Sequence, residues 1–432
     1  MRNMKAKTLF PACLLVMAIN HAHGQTLVET IQRAVIEYPT VNSAKFNAEA
    51  AQHDIDSAFA QHLPQVSIDA SANQFESSNQ YSRDIISPKV SMNLWAGGRI
   101  QSNIEKAEDL AQSADSLLIN TQDEIVIASA EAYLQWAKSK ELQKLAQENL
   151  AVHQTLYDSI QKIVELDPGR KIDLTQAQVR LDGAKIALTS RSAEAKQSAK
   201  HLQRFWPDQL SERAEGVDDF RGVLPNSLDD AFTIIEQQHP ALTSAQLVLS
   251  AAEATLNIAK SQYQPQINLS VNRQYNSDSR SIEFMGQATA SLPLYSGGSI
   301  DAAVGKANAD FFSAKSKLDD TRRVLREKIS VFWEDLHATK QRAEIGKKQS
   351  EMAGNVVTGY KLQFELAKRS LLDLLNVQND QFNYRSSTVS NEYDYRIARF
   401  HFSGALGQLS RVYGGGEVQP QISEPAWMPW TR

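Results

Sequence analysis

The sequence predicts a mainly α-helical fold with a small β portion, built from two copies of one helix-strand-strand-helix-helix unit. Three observations predict it. The chain of 432 residues matches itself at a constant spacing. Long Ala- and Gln-rich stretches, nearly free of proline, lie between the matching positions. Each copy also holds one pair of segments in which apolar and polar residues alternate.

The first element, residues 1–24, has the features of a secretory signal peptide: basic Arg2, Lys5 and Lys7, an apolar run, and small residues before Gln25. We expect the mature chain to begin at Gln25. Losing three basic residues changes the net charge from -5 to -8, which disfavours a nucleic-acid partner. The single cysteine, Cys13, lies in this segment, so we expect no disulfides in the mature chain.

The repeat defines the predicted domains: a first copy at 25–206, an equatorial linker at 207–227 and a second copy at 228–411. The final segment, 412–432, is predicted either to pack at the equator or to be a disordered tail. Pro39 corresponds to Pro240 at an offset of 201, and Asp173 to Asp373 at an offset of 200.

The helical segments have matching lengths in the two copies. We predict helices at 27–62, 99–166 and 171–206, and again at 228–262, 299–366 and 370–411. The longest spans about 100 Å at 1.5 Å per residue, as do two short helices placed end to end. The sequence therefore predicts a long cylinder with a waist. The 3-4 spacing of apolar residues from Leu142 to Leu166 fits a coiled-coil seam or an ordinary bundle core.

Strand pairs are predicted at about 65–96 and 265–295, around the polar loops 74–84 and 274–281. Their alternation fits transmembrane barrel strands, and it also fits a soluble sheet packed on a core. We favour the barrel because no spare apolar helix is available to cover the sheet. Four strands cannot close a barrel, and an open edge in lipid leaves amide groups unpaired. The residues alone therefore predict a dimer, a trimer or a larger oligomer.

The junctions between helices and strands carry Pro or Gly. Pro64 and Pro265 are expected to end a helix and begin an extended segment. Paired glycines permit the unusual backbone angles of a strand-to-helix turn; they are Gly97, Gly98, Gly297 and Gly298. No phosphate-binding pattern of glycines is present in the sequence.

Two hairpin tips are predicted where the long helices reverse direction, at 167–170 and 366–369. The first is Asp167-Pro168-Gly169-Arg170, for which we expect a tight turn with positive φ at Gly169. The second includes Ala367, Lys368 and Arg369. Asp173 and Asp373 follow the tips, near helix N-termini where the helix dipole favours a negative charge.

In the order and duplication of these motifs, the sequence resembles the TolC family of outer-membrane efflux and secretion ducts across nearly the whole mature chain. The resemblance rests on 63–65, 94–99, 264–266, 294–298 and 367–373. It implies a homotrimer in the outer membrane, in which three sets of four strands form a 12-stranded barrel continued by a helical tunnel through the periplasm. A periplasmic adaptor protein and an inner-membrane transporter are implied partners at the tips.

The same resemblance implies that the tips form a periplasmic gate. Matched residue by residue, Arg369 is the arginine that contacts acidic groups, Asp173 is the helix-start aspartate, and Asp373 forms an acidic ring. Phe364 and Asn376 depart from the family pattern, where a tyrosine and a second acidic residue are usual.

No catalytic or cofactor site is expected. The mature histidines are scattered, none pairs with another at metal-ligand spacing, and no nucleophile motif is present. The family resemblance implies a passive conduit. Type I protein secretion and an ABC-type transporter are favoured because 167–177 resembles that subgroup. A multidrug efflux duct is the alternative, and a periplasmic coiled-coil structural protein is the alternative from another class.

Overall fold

The same order of elements occurs twice along the chain. The computed structural model describes residues 25–73, 83–211, 213–276, 281–366 and 368–414. The predicted signal peptide, residues 74–82 and 277–280 of the two polar loops, Ala367 and most of the predicted tail therefore lie outside the described residues. The first copy comprises α1 (Leu27–Glu37), α2 (Pro39–Phe59), β1 (Gln65–Asn73), β2 (Arg83–Trp95), α3 (Arg99–Leu166) and α4 (Lys171–Leu202). The second comprises α5 (Leu228–Gln238), α6 (Pro240–Lys260), β3 (Gln266–Asn276), β4 (Ser281–Ser291), α7 (Ser299–Glu365) and α8 (Leu371–Ala405), followed by α9 (Leu409–Tyr413).

The predicted continuous helices 27–62 and 228–262 are wrong, because each breaks at a proline. Tyr38 has φ -70° and ψ 131°, and His239 has φ -73° and ψ 121°. Both precede a proline, whose ring disfavours the α conformation at the preceding residue. Pro39 and Pro240 are instead the first residues of α2 and α6, where a missing N–H costs nothing.

Two other predicted helices are shorter in the structure. The helix expected at 171–206 ends at Leu202. The helix expected at 370–411 ends at Ala405, and Gly407 with φ 72° separates it from α9. A positive φ at Gly407 turns the chain sharply because glycine has no Cβ to clash.

The four strands form one antiparallel sheet in the order β1-β2-β3-β4. Val66 lies opposite Val90, and Val90 lies opposite Val271. The register of the β1–β2 hairpin, in which Gln65 faces Ser91, recurs in β3–β4, in which Gln266 faces Ser291. The two hairpins are thus duplicated residue for residue, with β1 and β4 as the sheet edges.

The hydrophobic core lies at the middle of the long helices. Val126, Tyr133 and Trp136 of α3 pack with residues of α1, α8 and α9, while Ile329 of α7 belongs to a second buried cluster. The linker covers the first cluster: the backbone N–H of Glu215 donates to the Tyr133 hydroxyl at 2.9 Å.

Along α3, the second copy packs directly against the first. In one half of the molecule α3 contacts α2 and α6, and in the other half it contacts α4 and α8. α7 packs against α6 and α8. The helices therefore form a layer in which α3, α6 and α8 lie inside and α2, α4 and α7 lie at the edges.

Candidate functional site

One face of the sheet is apolar and exposed. Because side chains alternate along a strand, the register places Val66, Ile68, Val90, Leu269 and Phe284 on the same face. Val66 is 76% exposed, Ile68 70% and Phe284 76%. The opposite face is polar: it carries Ser67, Lys89 and Ser270, and the Asn93 amide donates to Asn268 at 2.9 Å. The sheet presents one face suited to lipid and one suited to water.

The glycine pairs at the strand-to-helix junctions adopt the predicted unusual backbone. Gly97 and Gly98 have φ 60° and 85°, and Gly297 and Gly298 have φ 65° and 80°. Gly97 differs from the others because a Cβ there would lie 2.4 Å from the Cβ of Gln264. Pro64 and Pro265 each lie between a short 3-10 turn and the start of a strand.

The first hairpin tip is a 3-10 turn at Pro168–Arg170. The expectation of a positive φ at Gly169 is wrong. The Asp167 carboxylate instead accepts a hydrogen bond from the Gly169 N–H at 3.1 Å, which closes the turn without a left-handed residue. Arg170 donates to Asp173 from two nitrogens, at 2.9 and 2.8 Å. The described partner of Asp173 is thus Arg170 of the same tip.

At the second tip, Arg369 contacts α7. Its Nε donates to the Gln363 side chain at 3.0 Å, and its guanidinium lies 4.6 Å from the centre of the Tyr360 ring. Asp373 forms a capping box with Ser370: the Asp373 N–H donates to the serine hydroxyl at 3.1 Å, and the carboxylate accepts from the Ser370 N–H at 3.3 Å. Within one chain, Asp373 therefore acts at a helix N-terminus, the role its position alone predicted. Lys368 is exposed beside Arg369.

An open cleft of about 760 Å³ lies at this second tip. Leu362, Gln363, Lys368, Arg369 and Asp373 are among its lining residues. Phe364 packs against the small cluster of Ile160, Leu371 and Leu375. Phe364 therefore joins α7 to α3 and α8 by apolar contact where a tyrosine hydroxyl was the family expectation.

A contact that the sequence did not reveal joins one helix of each tip. Arg180 of α4 donates to the Asn376 side chain of α8 at 3.0 Å. His153 of α3 is buried nearby: burial lowers its pKa, and the positive charge of Arg180 lowers it further. Arg180 had no recognisable motif, since its partner is 196 residues away.

The structure brings together residues within each tip and joins the tips through α4 and α8. No group of three or more His, Cys, Asp or Glu side chains that could hold a metal occurs in the described residues. Across the described part of the chain, every helix is too short or too polar to span a membrane.

Comparison with known proteins supplies the biological context. A family model described as outer membrane efflux protein matches residues 30–206 and 233–408. The chain is 20% identical over 408 residues to outer membrane efflux protein BepC of Brucella suis, covering 92% of this chain and 88% of BepC. It is 21% identical over 423 residues to outer membrane protein TolC of Vibrio cholerae, covering 94% and 96%. A crystal structure of CusC shares the fold with a TM-score of 0.79 at 16% identity, over 89% of this chain and 92% of CusC.

Proposed function

The chain belongs to the outer membrane efflux protein family and is an outer-membrane protein, and we propose that it forms the exit channel of a three-component export system. The observation that supports this most strongly is the exposed apolar face of the sheet, with Val66 and Phe284 each 76% exposed. Apolar side chains in such a band are stable in lipid and costly in water.

The channel is formed by three copies. β1 and β4 each leave one row of backbone groups unpaired within the chain, which lipid does not tolerate. Three sets of four strands close a 12-stranded barrel, and the long helices, about 100 Å each, continue it as a tunnel. The polar face with Lys89 and Asn268 then lines the water-filled interior.

The two hairpin tips form the far end of the tunnel, where a periplasmic adaptor and an inner-membrane transporter dock. There Asp167, Pro168, Gly169, Arg170, Ala367 and Lys368 form the docking surface. The gate residues are Asp173, Phe364, Arg369, Asp373 and Asn376. The Arg180–Asn376 bond between α4 and α8, and the Arg369–Tyr360 contact between the second tip and α7, support a closed mouth held by side-chain contacts.

For the pump, an ABC transporter and type I protein secretion are proposed, on the resemblance carried by 167–177. Multidrug efflux is the second candidate, because BepC is named as an efflux protein. The two candidates are distinguished by expressing this chain together with a pump of each class in cells that lack their own duct. Restored protein secretion supports the first candidate, and restored drug resistance alone supports the second.

The channel itself is tested by two neighbouring substitutions on opposite faces of β1. Ile68→Lys places a charge on the lipid face, where it costs about 2–4 kcal/mol near the bilayer centre. Ser67→Lys places the same charge on the interior face. We expect Ile68→Lys to abolish outer-membrane trimers and bilayer pores, and Ser67→Lys to keep both. Equal tolerance of the two variants, or a wild type that remains a soluble monomer, contradicts the proposal.

A further inference from the structure

One arginine at the waist lies between two aromatic rings. The guanidinium carbon of Arg399 in α8 is 5.0 Å from the centre of the Phe220 ring, which belongs to the linker, and 5.3 Å from the centre of the Tyr395 ring. Cation–π contacts with both rings hold the guanidinium group in place. Arg399 is half-buried, so part of the group remains open to solvent.

Arg399 has no bound counter-ion. Its Nε is buried without a hydrogen-bond partner, and within the described ranges of the chain its guanidinium forms neither a hydrogen bond nor an ion pair. The nearby carboxylate of Asp218 is occupied by Arg396, whose Nε donates to it at 2.7 Å. Burial lowers the pKa of Arg399 below its usual range, although the charge of Asp218 acts in the opposite direction.

The chemistry of this group defines its ligand. A charge that is partly buried without a partner is costly. Arginine is best satisfied by a planar anion whose two oxygens accept two parallel N–H bonds. Carboxylate and phosphate groups both offer such a pair of oxygens. The geometry around Arg399 is therefore that of a site for a two-oxygen anion.

The site faces outward in the proposed channel. α8 packs between α3 and α7 of its own chain, so Arg399 lies away from the edges of the helical layer. Phe220 belongs to the linker, and three linkers inside the tunnel would obstruct it, so the linker face is the outer one. The linker also contacts Tyr133, which at 1.5 Å per residue lies about 50 Å along α3 from Gly98.

Resting on the proposed channel, we propose that Arg399 binds a free carboxylate of the cell-wall peptides on the outside of the waist. A tube that crosses the periplasm passes through the cell wall, whose short peptides end in carboxylates. The residue that corresponds to Arg399 in the first repeat is Ala199, so the duplication supplies the site once per chain. A trimer then presents three sites around its waist, and simultaneous binding strengthens the attachment.

Asp218 makes it possible to test the direction of the effect. Its carboxylate competes with a ligand for the positive charges of Arg396 and Arg399. Asp218→Asn removes this competitor, so we expect binding to become tighter by up to about five-fold. Arg399→Gln removes the parallel N–H donors, so we expect binding to weaken about ten-fold or more. A purely structural role for Arg399 would not make the two substitutions act in opposite directions.

Sedimentation with purified cell-wall sacculi measures the binding. The full-length protein in detergent is mixed with the sacculi at several salt concentrations, and the pelleted fraction gives the affinity. Arg213→Gln removes an exposed arginine elsewhere in the linker and should bind like the wild type. Sacculi whose peptides have been removed by an amidase should not bind, because the carboxylates leave with the peptides.

Three outcomes overturn the proposal. The first is a wild type that does not sediment, or one that sediments no better than Arg399→Gln. The second is equal binding to the peptide-free glycan. The third is sedimentation that appears only in Glu417→Gln with Glu424→Gln, because carboxylates of this chain's own final segment would then fill the site.

Further measurements separate the site from the channel. Arg399→Gln should keep the wild-type size in detergent and the bilayer pores. Arg399→Lys keeps the charge but loses the parallel donors, so it should also bind more weakly, and it replaces Arg399→Gln if that variant does not assemble. Pores without wall binding overturn this inference alone, whereas a wild type that remains a soluble monomer overturns the channel on which it rests.

Discussion

Asp123 is a carboxylate that α3 holds inside the protein. It is 3% exposed, and its side chain accepts a hydrogen bond from the Ser410 N–H at 2.5 Å at the start of α9. Burial raises its pKa from 3.8 to about 6, while the Ser410 bond and the nearby charge of Arg411 lower the pKa and limit the rise. The residue thus positions α9 against α3 at a cost in charge burial.

That cost gives a pH-dependent prediction. Because the folded pKa lies above the unfolded value, the native state binds the proton more tightly, and stability falls as pH rises through 4–6. Asp123→Asn keeps an acceptor for Ser410 but removes the charge. We expect Asn to raise the free energy of unfolding by up to about 3 kcal/mol at pH 8 and by only about 1 kcal/mol at pH 4.5. Guanidinium unfolding in detergent at both pH values measures it, and an equal difference at the two would contradict the assignment.

Arg369 gives a prediction about the mouth. Its stacking on Tyr360 in an exposed position contributes about 0.5–1 kcal/mol, so removing it shifts a closed-to-open equilibrium about two- to five-fold per chain. Arg369→Ala should therefore raise single-channel conductance or open probability in a planar bilayer. Lys368→Ala removes the same charge from the neighbouring exposed residue and is the control. An unchanged conductance and open probability for Arg369→Ala would show that Arg369 does not help to hold the mouth closed.

At the scale of elements, the strand-to-helix junctions make a second kind of test possible. Gly97 has φ 60° and no room for a Cβ beside Gln264, whereas Gly98 has φ 85° and open space. Gly98→Ala should cost only the left-handed backbone penalty of about 1–2 kcal/mol. Gly97→Ala should cost about 1–3 kcal/mol more, since the added methyl group overpacks the contact with Gln264. Thermal unfolding in detergent compares them, and equal losses would contradict the packing argument.

How much of each element follows from sequence depends on how local its causes are. α3 begins after Gly98 and ends before Asp167 as predicted, because the residues that bound the helix determine the backbone conformation of adjacent positions. The break at Tyr38 was missed since the helical pattern continues on both sides of Pro39. The turn at Gly169 was mispredicted because the Asp167 side chain, rather than a positive φ, closes it.

The candidate site follows the same rule. The alternation of Val66, Ile68 and Val90 revealed the apolar face before any register was known. The Arg180–Asn376 bond could not be found that way, because the two residues are far apart in sequence and only the fold of α4 against α8 brings them together. Asp373 was assigned a role in a ring of three chains, while one chain shows its capping role.

For the whole molecule, the two kinds of helix seam differ in charge. Inside the chain Arg385 of α8 lies 2.9 Å from Glu148 of α3. If neighbouring copies in the proposed trimer meet as the two repeats meet within one chain, the corresponding residues, 200 positions away, are Lys185 and Lys348, which have like charge. A seam that repeats the internal packing therefore lacks this ion pair and carries a repulsion in its place.

Lys348→Glu should reverse that repulsion. The new carboxylate would face Lys185 of the next copy, so we expect trimers that resist heat or detergent better by about 0.2–1 kcal/mol per seam, with the gain lost at high salt. Lys347→Glu introduces the same charge about 100° away on α7 and should give no gain. A gain that persists after Lys185→Ala would show that the effect has another origin.

The ties between α3 and α8 also have a mechanical consequence. Lys138 and Asp394, 2.8 Å apart, and Glu148 and Arg385 fasten the two repeats of one chain, whereas Ala338 and Glu194 occupy the positions that correspond to the first pair at the seam between copies. A force applied at the tips should then separate the three interfaces between copies before it separates the two repeats within any chain. Each chain would therefore move as one rigid unit when the mouth opens.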